Sequence, residues 1–481
     1  MKECIKWFLP KDTSDSTKQN ALLVHGAFGC GKSYLLVAII RFISALLDEV
    51  GDTETRILVS TLTNVAVDRI LLLLFETGFE NFARVGSLKK INKLLLPYSH
   101  HSTWNTASRK EAIKELEIIK KDLNLIEQKT AETWKEIASV DASIKNMKEQ
   151  TVSDRRDQLR SKRVVGCTLA ATTFEVLKKC TFKVVILDEC SQMLEPHSLQ
   201  AIAPFQWEKL IAVGDPLQLP PIVSLGFKEL YEKQDQNKRS LYQPLFVRLQ
   251  SDGLETILLR IQYRCHPSIA ELSNILFYEN NLMHGVNPQN RERLLSDFEA
   301  VNFINADKGV ETKSDVSYRN YYEAKFIVAL LEYIQTIIEN KKIAFLESDR
   351  EEDADFSIGV IVTYKSQEDL IKSIINETKI ESLKHIQIST VDAFQGAERD
   401  VIILGWVRTR SLGFMNDYRR LNVAITRARR HLIIVGHEKL LRKNPQWKYI
   451  IDNSKNLKKG YKKWEEYLAK AKIFRELMAG M

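Results

Sequence analysis

The sequence predicts an α/β protein of two domains, each a parallel sheet covered by helices, with a long helical stalk inserted into the first. Three observations predict it. Gly26-Ala27-Phe28-Gly29-Cys30-Gly31-Lys32-Ser33 is a G-x-x-x-x-G-K-[ST] loop between the apolar run Ala21 to Val24 and the helix-periodic run Tyr34 to Leu47. Strand, loop and helix thus follow in the order that a phosphate cradle requires. Short apolar, β-branched runs then recur with helical patterns between them, which argues for parallel sheets rather than hairpins. Finally, Tyr98 to Val165 contains neither Gly nor Pro, and its apolar residues recur at a helical spacing.

A chain of 481 residues with 44% apolar content has material for about two to four domains, because single cores stop growing near 250–300 residues. The pattern places a first domain at 1–96 and 164–250, the stalk at 97–163, a second domain at 251–452 and a basic tail at 453–481. A net charge of +8 admits a polyanionic partner without requiring one. Lys455, Lys458, Lys459, Lys462 and Lys463 read either as a phosphate-contacting patch or as a solvated tail. The six cysteines lack the spacing of a zinc site or a disulfide framework. With no run of about eighteen apolar residues and no signal-peptide order, the expectation is an intracellular, soluble protein without a membrane partner.

Taken in order, residues 1–20 are polar and read as irregular. Ile57-Leu58-Val59 is a strand followed by a helix through Val65 to Phe75. In the stalk, Leu116, Ile119, Leu123, Ile126, Thr130, Thr133, Ile137, Val140, Ile144 and Met147 keep a 3–4 spacing. Such an insertion can act as a lever or nucleic-acid guide, or can simply pack on its neighbour. Val184 to Leu187 and Leu210 to Val213 resume the strand pattern. The second block carries Ile358 to Val362, Ile386 to Thr390, Val401 to Leu404 and Leu432 to Val435, with a helix over Tyr322 to Ile338 and a charged surface loop from Glu347 to Asp355.

The residues suited to chemistry lie where strands end. In the Gly26–Ser33 loop, backbone N–H groups and the helix N-terminus would hold phosphates, with Lys32 on the β- and γ-phosphates and the Ser33 hydroxyl on Mg²⁺. Asp188 and Glu189 follow Val184 to Leu187 directly, where α/β sheets present ligand-binding groups. Asp188 suits Mg²⁺, and Glu189 suits a base that activates the attacking water. Gln218, in Gly214-Asp215-Pro216-Leu217-Gln218-Leu219-Pro220-Pro221, can sense a γ-phosphate or that water. Arg264 in Gln262-Tyr263-Arg264 and Arg427 in Thr426-Arg427-Ala428-Arg429-Arg430 offer fixed positive charge of the kind phosphoryl transfer needs. Taken singly, each of these arginines is equally well explained by a surface ion pair.

The ordered set GAFGCGKS, TLTNVAVD, GCTLAATT, LDECSQ, GDPLQLPP, QYRCHP, SYRNYYEA, VTYKSQ, STVDAFQGAERD and RRLNVAITRARRHLIIVG resembles the superfamily 1 helicases of branch B. That group includes the nonsense-mediated-decay helicase and senataxin. HGAFGCGKSYLL, LDECSQMLEP and VDAFQGAERDVIIL further resemble the helicase core of the GRF zinc-finger DNA helicase. The resemblance implies two RecA-like P-loop domains, ATP and Mg²⁺ as cofactors, and an ATP hydrolase that unwinds nucleic acid.

By the same resemblance Tyr263 stacks on adenine, Arg264 meets the γ-phosphate, Arg427 is a second arginine finger from the other domain, and Glu398 touches the ribose or phosphate side. A nucleic-acid track matches Thr61, Thr63, Asn64 and Thr168 in the first domain and Thr363, Tyr364 and Thr390 in the second. The implied partners are single strands and duplex junctions, DNA favoured over RNA, with 5′-to-3′ polarity in DNA repair or recombination in the nucleus. An RNA helicase of RNA surveillance and an ATP-gated single-strand clamp are the alternatives. The family's glutamine-containing adenine-recognition segment has no match in the 25 residues before Gly26, since Gln19 lies too near the strand. The expectation is therefore a fragment of a longer protein or a relaxed adenine specificity.

Overall fold

The computed structural model describes residues 4, 7, 20–100, 106–126, 129–149, 159–178, 180–222, 243–291, 294–346, 356–378, 381–394, 396–413 and 417–468. They form two compact units. One comprises residues up to Gly26, Gly31–Pro216 and Pro220–Leu259; the other comprises Ala27–Cys30, Leu217–Leu219 and the chain from Arg260 onward.

In the first unit the elements run β1 (Ala21–Gly26), α1 (Lys32–Glu49), β2 (Ile57–Thr61), α2 (Asn64–Glu76), β3 (Phe82–Val85), β4 (Ser99–His100), α3 (Thr106–Asn124), α4 (Ala131–Glu149), β5 (Val164–Thr168), β6 (Val184–Asp188), α5 (Glu195–Ile202), β7 (Lys209–Gly214), α6 (Leu245–Ser251) and β8 (Thr256–Leu259). They build an eight-stranded sheet in the order β4-β3-β5-β2-β6-β7-β1-β8, parallel at every pairing. Both faces are buried, so the strands read as unbroken apolar runs. Alternate residues serve opposite cores: Leu22, Val24, Val59 and Ile186 face α1 and α2, whereas Leu23, Leu58, Val185 and Leu187 face the cluster that includes Ala201 and Phe246.

The stalk is a pair of helices, α3 and α4, that pack on each other. Leu116, Leu123, Ile137, Val140 and Met147 join the first core, with Ile119 and Ile144 packed against it. The expected unbroken periodicity fails between them: Ile126 is exposed, and the Thr130 hydroxyl accepts from the Thr133 N–H at the start of α4. Polar turn residues there end one helix and cap the next. Of the first twenty residues, which read as irregular, Cys4 is buried in this core and Trp7 packs on it.

The second unit continues with β9 (Ile261–Gln262), α7 (Pro267–Phe277), β10 (Met283–His284), β11 (Val301–Asn305), the hairpin β12 (Thr312–Ser314) and β13 (Ser317–Arg319), α8 (Tyr321–Leu346), β14 (Ile358–Val362), α9 (Lys365–Thr378), β15 (Gln387–Thr390), β16 (Arg399–Gly405), α10 (Tyr418–Ile425), β17 (Ala428–Gly436), α11 (Glu438–Leu441), α12 (Pro445–Asn456), β18 (Tyr461–Lys463) and α13 (Glu465–Leu468). A six-stranded parallel sheet, β15-β14-β16-β17-β11-β18, is its frame. Phe303, Ile402, Leu404 and Ile434 face α7 and α12, while Val360, Ile403 and Val435 face α8 and α9.

Two boundaries differ from the sequence reading. Thr256–Leu259, expected in the second domain, pairs with β1 and completes the first sheet. The lysine-rich stretch expected as a tail is folded: β18 adds to β11, and Trp464 and Tyr467 are buried. The lysines masked this, although three of the five have local partners, Lys459 donating to the Ser296 carbonyl at 2.8 Å. Lys455 pairs with Glu438 at 2.6 Å, and Lys462 lies 5.1 Å from the Tyr467 ring centroid. The charged loop expected at Glu347 to Asp355 falls outside the described residues, as does the chain beyond Leu468.

Candidate nucleotide and nucleic-acid sites

In the first unit, strand order gathers the chemistry on one edge. β6, β7 and β1 are consecutive neighbours, so Asp188-Glu189, Gly214-Asp215 and the loop after Gly26 leave the sheet side by side, at its carboxyl ends. Gly29 and Gly31 take φ of 60° and 78°, left-handed values that Gly adopts without a Cβ penalty. Lys32, the first residue of α1, folds back so that its Nζ donates to the Gly26 carbonyl at 2.7 Å. This brings an ammonium across the mouth of the loop, where the helix N-terminus already favours anions.

Asp188 is buried, and burial pushes its carboxyl above the usual range; Lys32, the Glu189 N–H and Arg69 act against that rise. The Glu189 N–H donates to Asp188 Oδ1 at 2.9 Å. Glu189 itself sits at φ 60°, an uncommon conformation for a residue with a Cβ and a form of local strain that clusters at working sites. Asp215 is buried, its Oδ1 3.0 Å from His25 Nε2, and its N–H donates to the Ser191 hydroxyl at 2.9 Å. A Cβ on Gly214 would come within 2.7 Å of the Ser191 nitrogen, so glycine lets these strand ends approach.

Along the same edge Thr61 stands opposite both Thr168 and Asp188 in the strand register. Its buried hydroxyl donates to the Thr63 carbonyl at 2.7 Å. Thr63 caps α2, accepting from the Ala66 N–H, and Asn64 Oδ1 accepts from Arg84 Nη2 at 2.8 Å. Thr168, Thr63 and Asn64 keep surface exposure; Thr61 does not.

In the second unit the candidate charges form one cluster. Arg427 is buried, with Nε donating to the Val423 carbonyl at 3.1 Å and Nη2 to Gln218 Oε1 at 3.2 Å. Burial, then the Arg264 guanidinium, push it down to about 9, while Glu398 acts in the opposite sense. Arg264 Nη1 donates to the Thr426 carbonyl at 3.2 Å. Glu398, expected at a ribose or phosphate, here bridges arginines: 2.5 Å from Arg264 Nε and 2.7 Å from Arg429 Nη2. Gln395, its partner in the Q-G-x-E pattern, is outside the described residues.

Tyr263 presents an aromatic face, being 49% exposed. Its N–H donates to the Gly29 carbonyl at 2.9 Å, and a Cβ on Gly29 would lie 2.4 Å from Arg264 Cβ. Gly29 is thus required twice, for its φ and for this approach. The other side of the tyrosine ring rests on Gly285, where a Cβ would come within 2.2 Å of Cε1.

Thr363 and Tyr364 follow β14 and Thr390 ends the adjacent β15. Thr363 donates to the Trp406 carbonyl at 2.9 Å and the Tyr364 hydroxyl accepts from Arg408 Nη1 at 2.9 Å. Both are buried, Thr363 holding backbone and Tyr364 holding the Arg408 side chain, and Thr390 is the one of the three with exposure.

Residues 8–224 and 241–439 each match a domain family described as AAA domain. The mouse 5'-3' DNA helicase ZGRF1 is 41% identical over 447 residues, covering 91% of this chain and 22% of that protein. A regulator of nonsense transcripts 1 homolog from Neurospora crassa is 30% identical over 91% of this chain and 37% of its own length. The chain belongs to the superfamily 1 helicases. An uncharacterized ATP-dependent helicase from Methanocaldococcus jannaschii is also similar, at 28% identity over 92% of this chain and 68% of that protein. The helicase chain therefore spans well under half the length of its mouse and Neurospora relatives.

Several residues of this helicase escaped the sequence reading. Asn422, fully buried, donates to the Leu217 carbonyl at 2.8 Å and accepts from the Ser273 hydroxyl at 2.5 Å. It lies in RRLNVAITRAR, where a polar residue on the apolar face of α10 was the available signal. His25, Ser191 and Gly285 carry no such mark, because their roles depend on which strand ends become neighbours. Among the described residues no helix is long and apolar enough to cross a membrane, and no cluster of three metal-ligating side chains occurs.

Proposed function

We propose that this chain is the motor of an ATP-dependent helicase that hydrolyses ATP, moves along single-stranded nucleic acid and opens duplex junctions. DNA is preferred to RNA, the polarity is 5′-to-3′, and the role is repair or recombination in the nucleus. The observation that carries the proposal is the edge of the first sheet, where the Gly26–Ser33 loop, Lys32 and the Asp188-Glu189 pair emerge from β1 and its near neighbour β6. The mouse relative's name supports DNA and the polarity.

The donor set fits a hard divalent cation. Ser33 offers a hydroxyl oxygen and Asp188 a carboxylate whose burial cost a cation would offset. When bound, Mg²⁺ neutralises phosphate charge. Lys32 exchanges the Gly26 carbonyl for a phosphate oxygen. Glu189, strained and partly exposed, takes the proton of the attacking water, and Gln218 orients that water. Arg264 and Arg427 oppose the charge that develops in the transition state, and the crowding that lowers Arg427 is relieved by an anion. Tyr263 stacks on the base with Gly285 behind it. Thr61, Thr63, Asn64 and Thr168, with Thr363, Tyr364 and Thr390, shape the strand path, largely through the backbone they hold.

Unwinding of matched 5′-tailed and 3′-tailed DNA duplexes, with and without ATP, tests this reading. ATP-dependent opening of the 5′-tailed duplex is expected. ATP hydrolysis with no opening of either would establish the clamp reading instead, and tighter binding of a matched RNA strand in competition would reverse the DNA assignment.

A further inference from the structure

The second unit invests two buried carboxylates in one short loop, Val407 to Gly413, that follows β16. Val407, a β-branched residue, stands at φ 71°, a conformation such residues rarely adopt. Glu323, fully enclosed, holds it there by accepting the Val407 N–H at both carboxylate oxygens, 3.0 and 2.9 Å. One turn on, Glu311 Oε2 accepts the N–H groups of Thr409 and of Arg410, the latter at 3.0 Å. Burial works to raise the Glu311 carboxyl, but those two N–H groups and Arg408 outweigh it and hold it below the usual range. Arg408 is in turn 3.1 Å from Glu311 Oε1 and 3.8 Å from the Tyr318 ring centroid.

These hydrogen bonds lie inside the protein, and they fix the backbone on either side of the exposed Arg410. Arg410 is exposed and forms no ion pair with a described residue. Its loop leaves the carboxyl end of β16, whose neighbour β14 leads to Thr363 and Tyr364, with β15 and Thr390 beyond. A strained residue such as Val407, held in place by its surroundings, is the kind of outlier from which a functional role for its loop is argued.

We propose that Arg410 is a further nucleic-acid residue, a guanidinium aimed at a backbone phosphate of the single strand, and that Glu311 is the positioning residue that aims it. The inference rests on the helicase reading above and extends its strand path by one strand of the second sheet. A planar, always charged guanidinium on a rigid loop suits a phosphodiester.

The test is the salt dependence of binding to a fluorescent oligo-dT strand. Each phosphate contact on a single strand contributes about 0.7 to the slope of log affinity against log salt. Arg410→Ala should reduce the slope by about that amount and weaken binding roughly two- to fivefold, the range of an exposed ion pair. Glu311→Gln should lose a similar affinity alone and nothing more in the Arg410→Ala background. A purely structural Glu311 would give additive losses. Lys439→Ala, an exposed lysine on α11, should leave the slope unchanged. An unaltered slope in Arg410→Ala, with normal binding by the unmodified protein, overturns the assignment. Failure of the unmodified protein to bind any single strand overturns the helicase reading itself.

Discussion

Arg427→Met separates stability from catalysis, because Arg427 is held charged in a place that resists charge. The ordinary arginine value of 12.5 falls to about 9 under burial and the Arg264 guanidinium. A displacement of that size corresponds to about 5 kcal/mol of unfavourable charging. Methionine keeps a comparable length and removes the charge, at the loss of the hydrogen bonds to Val423 and Gln218, about 1 kcal/mol each. Losing Gln218's partner takes away roughly another 1 kcal/mol. The net is a gain of about 2 kcal/mol, which for a unit of this size raises the melting temperature by roughly 4–8 °C. The group is a cation with a lowered value, so wild type carries the penalty at all pH below about 9. The advantage of the variant is therefore full at pH 7 and shrinks as pH rises through 9 and beyond. Turnover should move the other way, falling by about 10³–10⁵ if the guanidinium serves the transition state. Differential scanning calorimetry and steady-state ATP hydrolysis on the same preparation decide it. A variant that melts several degrees lower and hydrolyses ATP at the wild-type rate would refute the reasoning, leaving Arg427 as an internal strut.

Three further outcomes are expected. Lys32→Ala should lose ATP affinity and hydrolysis yet still bind single strands without nucleotide, measured by fluorescence anisotropy; unchanged turnover would remove the loop after β1 from the site. Glu189→Gln should bind ATP while hydrolysis falls by about 10²–10⁴, whereas a loss of ATP affinity with normal turnover would make Glu189 a binding residue. Glu438 is lowered to about 2, burial being outweighed by Lys455, Tyr461 and Arg442; its stabilising effect is full above the usual 4.5 and disappears as pH falls toward 2. Glu438→Gln should thus cost about 1–3 kcal/mol at pH 7 and nothing near pH 2, and a pH-independent deficit would point to lost packing.

Much of the fold was legible because its signals are local. The loop Gly26 to Ser33 is contiguous, and the apolar runs of a doubly covered parallel sheet need no partner to be recognised. Asp188 and Glu189 were legible for the same reason, each being fixed by the strand that precedes it. Thr256–Leu259 was misplaced since nothing in four apolar residues says which sheet they join, and β18 was hidden by its lysines. At the sites, sequence named the residue types but not their partners. Glu398 looked like a ligand contact and is a bridge between Arg264 and Arg429. Tyr364, expected on the nucleic-acid track, is buried with its hydroxyl accepting from Arg408. Gly285 gave no sign of lying beneath Tyr263, because a close approach exists only once the chain has folded.

The central claim is that nucleotide chemistry in this chain is coupled to a nucleic-acid strand. The rate of ATP hydrolysis as single-stranded DNA is titrated into the protein tests it most directly. A low basal rate that climbs at least tenfold to a plateau, and that vanishes in Lys32→Ala at every DNA concentration, is the predicted result. A rate that stays flat from zero to saturating DNA, in a protein shown by anisotropy to be DNA-bound, would contradict it.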